Sequence, residues 1–91
     1  MPQQQKLEIL YKDMTDEKLE SAQKIILDAF DKYSQERQIA KVIRFEFDKQ
    51  HGESWCCVVG KSFGSHVIHQ TEGYLFCNLN EEISILLWKS A

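Results

Sequence analysis

At Gly52 the spacing of apolar residues changes, and that change limits the folds open to the chain. Before it, in KDMTDEKLESAQKIILDAFDKYS and SQERQIAKVIRFEFDKQ, apolar residues recur every three or four positions, the spacing of one helix face. After it, the runs WCCVVG, FGSHVIH, YLFCNL and ISILLW are β-branched or aromatic and separated by short turn segments, which predicts four strands. A further strand is expected at residues 7–12, where Leu7, Ile9 and Tyr11 alternate with Glu8, Leu10 and Lys12. The order is β-α-α-β-β-β-β, an α+β fold with two helices packed on an antiparallel sheet.

Local signals agree with this order. Thr15 can cap the first helix, with Asp16 and Glu17 at the positive end of its dipole. Its apolar stripe is Leu19, Ala22, Ile26, Ala29 and Tyr33, widened by Ile25 and Phe30. Ile39, Val42, Ile43 and Phe47 form the stripe of the second, and Gly52 is a natural stop. With 91 residues the chain is read as a single domain, 1–91, whose residues 1–6 form a flexible polar terminus. Below about 80 residues one core supplies only about 3 to 5 kcal/mol, and in a chain little longer than that a partner subunit is a natural supplement.

Charge and cysteine content exclude several classes. Against 14 Asp and Glu there are 11 Lys and Arg, a formal net charge of −3, so no general positive field draws nucleic acid. The start MPQQQKLEIL has no cationic, then long apolar pattern and no run is long enough to span a membrane; a cytoplasmic place is expected. Three cysteines fit reduced thiols better than a disulfide framework.

The segment WCCVVGKSFGSHVIH concentrates the side chains that could carry chemistry. Zinc would draw on Cys56, Cys57, Cys77, His66 and His69, but neighbours in a strand point to opposite faces. Cys56 and Cys57 therefore cannot easily converge, and neither can His66 and His69. No base marks any cysteine as a nucleophile, and GKS at residues 60–62 lacks the earlier glycine and following helix of a phosphate loop. No catalytic residue, metal site or cofactor is expected.

Trp55, the run VVGKSFGSHVIH, FEFDK at residues 45–49 and the tail ILLWKS together resemble the eight-kilodalton dynein light chains, over residues 8–91 and with a slightly longer last turn. The resemblance implies a two-fold dimer in which the strand Phe63 to His69 crosses to the partner protomer and completes its sheet. Gly60-Lys61, locally a type II′ hairpin signal, then becomes the point of departure. The implied dimer interface is Trp55, Cys56, Cys57, Val58, Val59, Lys61, Ser65, His66 and Val67, with itself or a paralogous light chain as partner.

The family's activity is binding: an extended client segment, such as one from a dynein intermediate chain, adds to the edge of the crossed strand. Carried over, Ser62, Phe63, Gly64, Ser65, His66, Val67, Ile68 and His69 form that edge. Phe76 and Asn78 line the groove, and Glu36, Arg37 and Gln38 form its other wall. Phe76 and Asn78 replace groove tyrosines, Ile68 a threonine, Arg37 a lysine, Cys56 an interface histidine and His66 a tyrosine. Strand addition uses backbone and survives these changes, whereas client preference does not have to. The resemblance implies a noncatalytic light-chain subunit of a dynein motor in the cytoplasm and cytoskeleton, and the altered groove points to a ciliary axoneme. The alternative is a general dimerisation hub for disordered clients.

Overall fold

The computed structural model describes residues 6–52, 54–61 and 69–90. Its elements run β1 (Leu7–Asp13), α1 (Asp16–Lys32), α2 (Glu36–His51), β2 (Trp55–Lys61), β3 (His69–Leu79) and β4 (Ile83–Ser90). Both helices and the strands on either side of them fall where the apolar spacing places them. The expected strand at residues 63–69 lies outside the described residues apart from His69, which begins β3. Residues 1–5 also lie outside.

All strand pairs are antiparallel and the sheet order is β1-β3-β4-β2. β4 sits between β3 and β2, and β1 and β2 are the sheet's edges. The helices cover one face. There Ala22, Ile26 and Ala29 of α1 and Ile39, Ile43 and Phe47 of α2 pack with Leu75, Cys77, Ile85 and Leu87, all essentially buried. The sheet residues in this cluster occupy alternate positions of β3 and β4, as a pleated strand requires.

The helix ends are held by specific bonds. Thr15 Oγ1 accepts from the Lys18 N–H at 3.3 Å, the expected N-cap. Gly52, at φ 82°, closes α2 in a conformation that favours glycine. Three residues later the Trp55 N–H donates to Asp48 Oδ1 at 2.8 Å, folding β2 back beneath α2. Ser21 Oγ donates to Gln50 Oε1 at 2.8 Å and ties the helices together.

One expected alignment changes. Leu7 and Ile9 face the core as the alternation predicts, but the register between β1 and β3 shifts between Ile9 and Tyr11. A bulge at Leu10 absorbs the extra residue and reverses the parity that follows. Tyr11 therefore pairs with Phe76 on the other face and sets its ring edge-on to Tyr74, with centroids 5.3 Å apart. Lys6, assigned from sequence to a flexible terminus, is fixed at the start of β1: its N–H donates to Asn80 Oδ1 and its carbonyl accepts from the Asn80 N–H, both at 2.8 Å.

Two features of the fold have measurable consequences. In the β3–β4 turn, Asn80 and Glu81 have φ of 54° and 63°, a region that costs an L-residue other than glycine roughly 1 kcal/mol or more. Glu81→Gly relieves this at a side chain that is exposed; we expect a gain of about 1 kcal/mol in urea unfolding. His51, in the last turn of α2, lies against Phe47 with ring centroids 4.6 Å apart, and its Nε2 is buried without a hydrogen-bond partner among the described residues. Burial, with Lys18 nearby, holds its pKa below the ordinary 6.5, and Glu17 opposes this weakly. The unfolded chain thus takes up this proton more readily than the folded one, so the contribution is complete above the ordinary imidazole value and lost as pH falls below it. Unfolding between about pH 7.5 and about pH 5 should show His51→Gln less acid-sensitive than the natural chain.

Candidate functional site

Of the sheet's two edge strands, β2 is the one that packs against α2. Its residues pair with β4 from Trp55 opposite Lys89 to Lys61 opposite Ile83, and no second neighbour pairs with it among the described residues. A regular seven-residue strand with one free edge presents backbone donors and acceptors ready for another strand. Little on β2 discourages this: Lys61 at its end is its one charged side chain.

Alternation divides the β2 side chains. Trp55 is 2% exposed and belongs to its own protomer's core, its ring edge-on to Phe47 at 4.5 Å and flanked by Lys18 and Lys89 Nζ at 6.0 and 5.9 Å. Cys57 and Val59 also pack on the helix side. Burial pushes the Cys57 thiol strongly up, with Cys77 adding to the effect, and burial raises Cys77 to about 12. Both are inert as nucleophiles at neutral pH. Cys56 and Val58 point to the face that the helices do not cover. The parity argument that separates the adjacent cysteines thus holds in the structure.

That second face is also largely apolar. Register places Tyr11, Phe76, Leu86 and Val58 in one row across all four strands, and Tyr74, Trp88 and Cys56 in the next. Leu86 and Tyr74 are buried by their neighbours, while Val58 and Tyr11 remain 44% and 58% exposed. A third row carries Glu8, Asn78, Ser84 and Gly60, where buried Ser84 donates through Oγ to Asn78 Oδ1 at 2.8 Å. Exposed Val58 and Tyr11, on the face of the sheet that the helices do not cover, fit an interaction surface.

The residues expected to line the client groove fall into three groups. Phe76 and Asn78, both half-buried, lie on the uncovered face. Glu36, Arg37 and Gln38 are exposed in the first turn of α2, on the helix side. Ser62, Phe63, Gly64, Ser65, His66, Val67 and Ile68 lie outside the described residues; His69 opens β3 opposite Ser90.

α2 has 16 residues and β2 seven, so each spans roughly 23 to 24 Å. Because β2 folds back beneath α2, the α2 start lies over the Lys61 end of β2, at the same end of the sheet as the Asn78 and Gly60 row. The two described groups therefore share one end of the molecule but sit on opposite faces of one protomer's sheet. Among the described residues, no group of three or more His, Cys, Asp or Glu could hold a metal ion.

The comparisons with known proteins agree with this architecture. Solved structures of the dynein light chain-like domain of a Fasciola hepatica calcium binding protein superpose with TM-scores of 0.77 for the native crystal and 0.74 for a mercury derivative. They cover 96% and 93% of this chain, and this chain covers 93% and 92% of theirs, at 17% and 18% identity. They show the shared fold. In sequence, a curated protein named as the cytoplasmic dynein light chain of Emericella nidulans is 38% identical over 78 residues, 86% of this chain and 82% of that one. The family described as dynein light chain type 1 matches residues 6–90, and the chain belongs to that family.

Proposed function

We propose that this chain is a noncatalytic dynein light-chain subunit that forms a strand-exchanged two-fold dimer and holds extended client segments, those of dynein intermediate chains first, by strand addition. The observation that carries the reading is the β2 edge, which no second described strand pairs, beside a sheet face that the helices do not cover and on which Val58 and Tyr11 are exposed. A strand from a second copy, residues 63–69, satisfies that edge. The two faces that the helices leave open then pack together and bury Val58, Phe76 and Trp88. Clients add to the outer edge of the exchanged strand, where backbone bonds give general affinity and flanking side chains give choice.

Two copies also account for the divided groove. Glu36, Arg37 and Gln38 of one protomer and Phe76 and Asn78 of the other can flank the same exchanged strand, although within one chain a sheet separates them. Two-fold symmetry makes two equal grooves, and binding one client segment makes capture of its tethered twin effectively intramolecular. The curated relative's cytoplasmic name supports action in the cytoplasm and cytoskeleton; a ciliary role rests on the altered groove residues alone.

Val58→Asp places a charge in the proposed dimer face, where burial costs several kcal/mol, and Gly64→Pro removes a backbone donor and fixes φ on the exchanged strand. We expect the natural chain to sediment as a dimer and to bring down an intermediate chain from its native cells. Val58→Asp should sediment as a monomer, and both variants should lose at least about tenfold of that capture. A natural chain that sediments as a monomer, or capture undiminished in both variants, contradicts the proposal.

A further inference from the structure

Four large apolar side chains stand out as exposed: Leu10, Tyr11, Phe45 and Val58. Three belong to the sheet, at the β1 bulge or on the uncovered face. Phe45 is different, for it is the most exposed of the four at 63% and it lies on α2. It is two residues from buried Phe47, a turn of about 200° around the helix. It therefore points away from the core that Phe47 occupies.

Cations outnumber acids along the groove beside Phe45. From Arg37 to Phe45 the sequence RQIAKVIRF holds three cations and no acid, in a chain whose net charge is −3. Arg37, Lys41 and Arg44 are exposed, and neither ion pair of the described residues, Lys12 with Asp16 or Lys32 with Asp28, involves them. With Gln38, Phe45 and Asp48 these three line a shallow groove that begins in the turn carrying Glu36, Arg37 and Gln38. The Asp48 carboxylate in that groove is already engaged by the Trp55 N–H.

We propose that this outward face of α2 is a second docking surface, which takes an acidic client segment carrying one apolar side chain. The cations meet the client's carboxylates and its apolar side chain covers Phe45. The inference rests on the strand-addition reading only for the partner's identity, because the surface continues from the α2 turn assigned to the groove wall. Charge decides the occupant. A symmetric contact between two copies would set Arg37, Lys41 and Arg44 against their own equivalents, and a single phenylalanine is a poor anchor for a lipid bilayer.

The test selects a displayed library of random linear peptides on the full-length natural protein, then compares synthetic copies of the enriched peptides on natural and Phe45→Gln/Lys41→Glu chains. Circular dichroism confirms that the variant is folded, with Phe45→Lys as the replacement if it is not. We expect a class of peptides rich in Asp and Glu with a Leu, Met or aromatic residue. They should bind the natural chain at least about tenfold more tightly than the variant, weaken with added salt, and still bind the Gly64→Pro chain. Persistence on Gly64→Pro separates this surface from the strand edge. Enriched peptides with no acidic excess, or equal affinity for natural and variant chains, overturn the proposal. So does a change in sedimentation of the variant, which would make the face a contact between copies.

Discussion

The structure depends on a mismatch between its layers: the sheet is apolar on both faces, and two helices can cover only one. Ile39, Ile43 and Phe47 of α2 and Ala22, Ile26 and Ala29 of α1 seal the side that carries Leu75, Cys77, Ile85 and Leu87. The helices do not reach the other side, where Tyr11 and Val58 are exposed. The same sheet ends at one side in β2, which pairs only with β4 among the described residues. An edge strand beside a face that the helices leave open supports the proposal that a second copy completes the fold.

In the proposed assembly, partnership is built into the backbone rather than into any reactive group. The cysteines illustrate this. Cys57 and Cys77 are core side chains whose thiols burial holds protonated, and Cys56 lies in the apolar row with Trp88 and Tyr74. An edge of free N–H and C=O groups accepts many sequences, because every strand offers the same complementary groups. In the proposed assembly, choice among clients falls to the walls: the start of α2, Phe76 and Asn78, and the basic outward face around Phe45.

Much of this was legible in the sequence, for reasons that can be traced to particular residues. The stripes around Ile26 and Ile43 place the helices because a helix that buries one face must repeat its apolar residues at that spacing, and Thr15 and Gly52 mark ends that leave backbone groups to cap. Strand parity separates Cys56 from Cys57 without any coordinates. The bulge at Leu10 was not legible, since an extra residue reverses parity with no signature of its own, and it moves Tyr11 to the face opposite Ile9. Nor was the left-handed pair Asn80 and Glu81, where only Asn80 is a residue that favours such a turn. Trp55 needs its partner Phe47 to reveal that it is a core side chain on an edge strand. Phe45 stands in a stretch quoted for its family likeness, and only its position opposite Phe47 on the formed helix shows that it faces outward. The division of the groove residues between two faces likewise follows from the sheet's pairing, which local patterns do not specify.

The central claim, that a strand from a second copy occupies the free edge of β2, is tested most directly by hydrogen exchange of the β2 backbone. Amides of residues 55–61 that point toward β4 are protected in any folded chain, whereas those that point outward are protected only when another strand accepts from them. The account predicts that the outward amides exchange slowly in the associated protein and become fast on dilution to the monomer, while the inward set stays slow. Outward amides that exchange rapidly at every concentration would contradict it.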